Sequence, residues 1–187
     1  MALVEKDIGW TSHHLSLRAG ETLNPDYLKL NPNGVVPTLV HDGAVIIEST
    51  VINEYIDDAF EPNPLKPSSP VDRARMRLWT KKPDESLHIH TSTISSAIAF
   101  RYQFIERGHS ALKKMYAAMP DPAKRERRMD LIENGIKSAL FPTAIRAWEK
   151  TLGDMNKALA DQPWLAGSQF TLADIAFAPY MTRWDHL

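Results

Sequence analysis

The sequence contains no cysteine among its 187 residues. Disulfides, thiolate metal sites and a cysteine nucleophile are therefore excluded within it, and the lack fits a reducing compartment. No apolar run approaches the roughly 18 residues that span a bilayer. The start, Met1 to Lys6, has neither the basic opening nor the long apolar stretch of a signal peptide, so a soluble cytoplasmic protein is expected. Neither sign of charge dominates: 22 Lys and Arg face 23 Asp and Glu, for a formal net charge of −1. That balance argues against a general binder of nucleic acid or anionic membranes. There are no internal repeats and no low-complexity tract. What is present is a hydrophobic share of 43%, enough for a packed core, in a length suited to one large or two small domains.

Met1 to Asp7 reads as the end of a helix, with Gly9 near its C-terminal stop. Trp10 to Leu17 alternates like a strand, with Leu15 and Leu17 on one face. Asn24 to Leu30 suits a short helix or turn. Val36 to Val40 is a short apolar strand, His41-Asp42-Gly43 carries the Asp-Gly hairpin signal, and Ala44 to Ile47 is the returning strand. From Ser49 or Thr50 to Phe60 the apolar positions Val51, Ile52, Tyr55, Ile56 and Ala59 recur at helical spacing. Pro62, Pro64, Pro67 and Pro70 then interrupt any helix or central strand, which makes 62–70 the expected linker. Everything after it reads as helix: Val71 to about Arg107 with an interruption near Pro83, a mixed stretch to Pro122, a charged helix opened by Asp121-Pro122, and Pro142 to Ala160. In the last, Ile145, Trp148, Leu152, Met155 and Leu159 are spaced for a buried stripe. Thr171 and Asp174 form a variant capping box, with Phe170 placed to staple against Ile175.

The chemistry concentrates in Asn31 to Thr50. Pro37 cannot donate to a ladder and suits a strand start; taken alone, Val36-Pro37 reads as an ordinary trans bond. Ser49 taken alone reads as a helix N-cap. Yet a helix start also presents unpaired N–H groups and partial positive charge, where a carboxylate docks readily. His88 and His90, two residues apart, do not share a helix face, and no His-Glu-x-x-His motif is present, so no metal site is expected. The run Lys124-Arg125-Glu126-Arg127-Arg128 is mixed in sign and reads as a solvated face.

The Val-Pro strand, Asp-Gly hairpin, Glu-Ser pair, proline linker and Thr171-Leu172-Ala173-Asp174 helix start together resemble the cytosolic glutathione transferases over essentially the whole chain. The resemblance implies an α/β plus all-α architecture: an incomplete thioredoxin-like domain over residues 1–61, a linker over 62–70 and a helical domain over 71–187. It implies a cis Pro37, with Val36 offering its main chain to the cysteinyl part of glutathione, and Glu48 and Ser49 holding the γ-glutamyl end. Glutathione would be the cosubstrate, its thiolate attacking a small hydrophobic electrophile, and the protein would be a homodimer. The electrophile site would lie among the first C-terminal helices, with Trp79, His88, His90, Phe100, Tyr102 and Phe104 as candidates; core packing is the competing reading for each aromatic. Pro83 to His88 and Pro122 to Gly135 look like the bacterial branch that includes the glutathione-dependent β-etherases.

In that family a Ser, Tyr or Cys between the first strand and first helix activates the thiol. No residue of this sequence matches it, and the catalytic residue is unassigned. The sequence reads as starting within the first helix and stopping before the family's last helices, so the intact protein is expected to exceed 21.1 kDa by mass. The rival reading is a non-catalytic module of the same fold that binds glutathione or serves as a scaffold, with a stress or regulatory protein that contacts a protein partner as a further alternative.

Overall fold

The computed structural model describes residues 1–17, 19–61, 63–117, 119 and 121–187. Pro62 of the expected linker lies outside the described residues. The chain forms two compact units, one of Met1–Thr80 with Trp164–Ala176, the other of Lys81–Pro163 with Phe177–Leu187.

The first unit opens with α1 (Ala2–Glu5). Its stop is Asp7 rather than Gly9: Asp7 adopts φ 55°, the Asp7 amide donates to Val4 O at 3.0 Å and the Ile8 amide to Leu3 O at 2.8 Å. This paired arrangement closes the last turn through a left-handed residue, a conformation Asp tolerates better than most side chains. Residues 10–17 do not form the expected strand. The alternation of Leu15 and Leu17 is there, but a strand also needs a ladder partner, and the sheet of the described residues contains β1 (Thr38–His41) and β2 (Ala44–Ile47) alone. Leu17 is instead 64% exposed.

The hairpin follows its sequence signal. Asp42 and Gly43 take φ 49° and 80°, the left-handed pair a two-residue turn requires, and set the register Thr38↔Ile47 through His41↔Ala44. Ahead of it, α2 (Pro25–Leu30) is capped by Asn24, whose side chain accepts from the Asp26 amide. Behind it, α3 (Ser49–Ala59) buries Ile52 and Ile56, each contributing about 1.5–3 kcal/mol of transfer free energy. Leu65, Met76, Leu165, Leu172 and Ile175 complete this core. The unit takes in most of α4 (Pro70–Lys82) and the start of α10 (Leu172–Asp185). There the Leu172 amide donates to Leu65 O at 3.1 Å, and Phe170 packs edge-on against Trp164 with ring centres 5.0 Å apart.

In the second unit the long helical region continues through a π-helical segment at Pro83–Leu87, α5 (His88–Ser95), a second π-helical segment at Ser96–Phe100 and α6 (Arg101–Ile105). The interruption expected at Pro83 is thus a widening of the helix rather than a break. Then come α7 (His109–Ala117), α8 (Pro122–Asn134), capped by Asp121, and α9 (Leu140–Leu159). The buried face of α9 is Ala144, Trp148, Thr151 and Met155. Two residues of the expected stripe, Leu152 and Leu159, are 37% and 41% exposed. The small Ala144 and Thr151 allow close approach to α5, where the Trp148 indole donates to Thr91 Oγ1 at 3.1 Å. That contact turns the helix onto its small residues and leaves the leucines at the rim. Among the described residues no helix is long and apolar enough to cross a membrane.

Candidate functional site

The four residues expected to hold glutathione meet at one end of the hairpin. The ladder ends where Thr38 faces Ile47, so Val36–Pro37 enters and Glu48–Ser49 leaves the hairpin at the same open end. All four are exposed. The Val36–Pro37 peptide bond is cis.

Ser49 is not the N-cap. It is the first residue of α3, and the cap position belongs to Glu48, at φ 69° and ψ 118°. Glu48 supplies only its carbonyl to the helix, accepting from the Ile52 amide at 2.8 Å, and no side chain caps the helix start. A positive φ at a non-glycine residue is uncommon, and such residues gather at ligand sites. The result is an uncapped helix start, with its N–H groups and partial positive charge, beside a hydroxyl and a carboxylate that both face outward.

The loop before β1 is held by residues the sequence reading did not single out. Asn31 is 1% exposed. Its Nδ2 donates to Val35 O at 2.8 Å and to Thr38 Oγ1 at 3.2 Å, while its Oδ1 accepts from the Asn33 amide at 3.1 Å. The Tyr27 hydroxyl donates to Val35 O at 2.6 Å and lies 2.8 Å from Thr38 Oγ1. Gly34, at φ 62°, would bring an added Cβ within 3.1 Å of Leu23 Cδ2. The Asn-Pro-Asn-Gly run signals a turn; nothing in it announces that the first Asn turns inward. Below the hairpin, His41 Nδ1 lies 2.8 Å from the Tyr55 hydroxyl, and its ring lies 4.9 Å from Phe60.

The candidates for the electrophile site fall in both units. Trp79 belongs to the first unit and the others to the second. His88 is exposed, its Nδ1 3.2 Å from the Tyr180 hydroxyl. Burial, and then the neighbouring Arg127 cation, hold His90 below its ordinary pKa. Phe100 lies under Arg183, Tyr102 under Arg101, and Phe104 under both Arg107 and Arg128, at 5.4–5.6 Å from guanidinium carbon to ring centre. Among the described residues no three His, Asp or Glu side chains come together as a metal site would require.

Residues 1–59 match the family model described as "Glutathione S-transferase, N-terminal domain", and residues 103–187 the one described as "Glutathione S-transferase, C-terminal domain". The chain belongs to the glutathione S-transferase family. It has the family's thioredoxin-like N-terminal domain and all-helical C-terminal domain. It is 33% identical over 154 residues to Protein LigF of Sphingobium sp. strain SYK-6, covering 80% of this chain and 59% of that protein. The crystal structure of the β-etherase LigF superposes with a TM-score of 0.81 at 30% identity, covering 94% of this chain and 73% of that one. A stringent starvation protein A homologue of Coxiella burnetii is 28% identical over 162 residues, 87% of this chain and 59% of that protein. The chain thus spans about three fifths of the length of these two relatives. A theta-class glutathione S-transferase of Xanthomonas axonopodis pv. citri, solved with glutathione bound, shares the fold at a TM-score of 0.71 and 24% identity, covering 98% of this chain and 74% of that one.

Proposed function

We propose that the chain is the ligand-holding part of a glutathione transferase. The observation that supports the reading is the hairpin register, which ends with Thr38 facing Ile47 and so leaves Val36–Pro37 and Glu48–Ser49 at the same open end, next to the uncapped start of α3. In this reading the Val36 main chain pairs with the cysteinyl amide of glutathione. The Ser49 hydroxyl and first-turn amides hold the γ-glutamyl carboxylate, and Glu48 takes its ammonium. The reaction is attack of the glutathione thiolate on an electrophilic carbon: a C–S bond forms and the leaving group departs with the electrons of its own bond. Likeness to the β-etherase LigF favours an aryl ether as the electrophile, the C–O bond breaking to release a phenolate that takes up a proton. The group that ionises the thiol is assigned to no residue here. The working form is a cytoplasmic homodimer, as the family implies, and light scattering after size exclusion measures that state.

The test is retention on immobilised glutathione. Wild type is retained, and Ser49→Ala, which loses a hydrogen bond to a charged group, binds about 10–100-fold more weakly. Retention unchanged by Ser49→Ala overturns the assignment. A second reading, a non-catalytic binding module, is favoured by the likeness to a protein named for the stringent starvation response rather than for a reaction. Turnover of a chloronitrobenzene or an aryl ether with glutathione separates the two.

A further inference from the structure

The second unit contains a half-open pocket of about 420 Å³ lined by α6, α7 and α8, a size common among small-molecule sites. None of the proposed glutathione-holding residues lines it, nor does any of the six electrophile-site candidates. Leu112, Met129 and Ile132 form apolar walls. The Tyr116 hydroxyl, which also belongs to the lining, is buried and has no hydrogen-bond partner among the described residues. A buried polar group left unpaired costs about 1–3 kcal/mol, so such a group beside a cavity calls for a partner within that cavity.

The charges say which kind. Arg101 is fixed, its Nε donating to Ile132 O at 3.1 Å and its Nη2 to Glu133 O at 3.0 Å. Lys113 lines the cavity and forms no hydrogen bond or ion pair among the described residues. Against these two cations stands Glu133, with His109 as the remaining titratable group of the lining; with His109 neutral the lining carries a net single positive charge. Burial, and then the Glu133 carboxylate, push the Tyr116 pKa up, so the hydroxyl keeps its proton and acts as a donor. A phenol O–H donates readily to an acceptor on a ligand, and Lys113 in the same lining favours a negative one.

We infer that this cavity binds an apolar monocarboxylate of up to about two rings, its carboxylate accepting from the Tyr116 hydroxyl and pairing with Lys113 while its body fills the Leu112–Met129–Ile132 walls. Titration calorimetry on the whole chain tests this with 2-naphthoate, its neutral amide and the corresponding naphthylmethylamine. One equivalent of 2-naphthoate binds with a Kd below ~1 mM; the amide is weaker and the amine weakest. Tyr116→Phe weakens 2-naphthoate about 10-fold while leaving Tm equal to or above wild type, because the hydroxyl has nothing to lose in the unliganded protein. Lys113→Met weakens it several-fold, and Met129→Trp, which fills the cavity, abolishes it. Binding persists in Ser49→Ala and under saturating glutathione, so this site and the glutathione site stand or fall separately. No saturable binding, equal affinity in Tyr116→Phe, a preference for amide or amine, or displacement by glutathione each overturns the inference, as does a lowered Tm for Tyr116→Phe.

Discussion

Asn31 shows how one side chain prepares the proposed ligand site without being one of its four residues. Its amide satisfies Val35 O and Thr38 Oγ1, on either side of Val36 and Pro37, and its oxygen secures Asn33. Asn31→Ala deletes three hydrogen bonds at a buried position, and urea unfolding should give a loss of about 2–3 kcal/mol. Tyr27→Phe, which leaves the Asn31 bonds in place, should lose about 1 kcal/mol. If the proposed site is right, folded Asn31→Ala should also be retained less well on glutathione. Of this site, the order strand, Asp-Gly, strand, Glu-Ser was legible in the sequence, and that order fixes which residues share the hairpin end. Asn31 was not, because a turn-forming Asn looks the same whether its amide points to water or into the fold. Glu48 was misplaced by one position for a related reason. Ser is the better N-cap by propensity, while the positive φ at Glu48 is imposed by the hairpin–helix junction.

At the scale of elements, local signals succeeded where the determining partner lay within a few residues. The hairpin turn and the helix start at Asp121-Pro122 are such cases. They failed where the partner is remote: the alternation in residues 10–17 has no ladder to join, and the α9 stripe is set by contact with α5. The start of α10 combines both kinds. Asp174 Oδ2 accepts from the Thr171 amide at 2.9 Å and from its hydroxyl at 3.2 Å, Thr171 Oγ1 accepts from the Ala173 amide at 3.2 Å, and Asp174 Oδ1 accepts from the distant Leu165 amide at 3.0 Å. Thr171→Ala should therefore destabilise by about 1–2 kcal/mol, and Asp174→Ala by about 2–3 kcal/mol because it also strands the Leu165 amide. Thermal unfolding of both variants checks the order. On α9, hydrogen bonds from Lys82 and Lys150 lower the Asp154 pKa from 3.8 to about 2. A carboxylate with a depressed folded pKa contributes stability above its unfolded pKa and loses it as pH falls through the folded one. Asp154→Asn should thus be less stable than wild type at neutral pH, by under about 1 kcal/mol for a pair this open to water. The gap should close between about pH 4 and pH 2 in paired denaturation curves.

At the scale of the molecule, each unit is built from two separated stretches of chain, with α4 and α10 passing from one to the other. Such discontinuity cannot be read from periodicity, which reports on neighbours along the chain; the change from strands to helices near residues 62–70 is the part a sequence can show. The first unit is instead organised around a buried ion pair joining α1, α3 and the stretch after α3. Lys6 is 0% exposed and its Nζ lies 3.1 Å from Asp57 Oδ1 and 3.2 Å from Asn63 O. Asp57 has more support: it also accepts from the Leu65 amide at 2.7 Å and the Lys66 amide at 3.1 Å. The two halves of the pair should therefore respond unequally. Lys6→Met leaves a carboxylate still held by two amides and should cost about 1–2 kcal/mol. Asp57→Ala leaves a buried ammonium with a single carbonyl and strands both amides, and should cost about 3–5 kcal/mol. Removing the lysine as well relieves the uncompensated charge, so the double variant should be more stable than Asp57→Ala alone. Urea denaturation of the three variants measures the cycle; a double variant less stable than Asp57→Ala would mean that the two residues act separately and that the pair does not organise the unit.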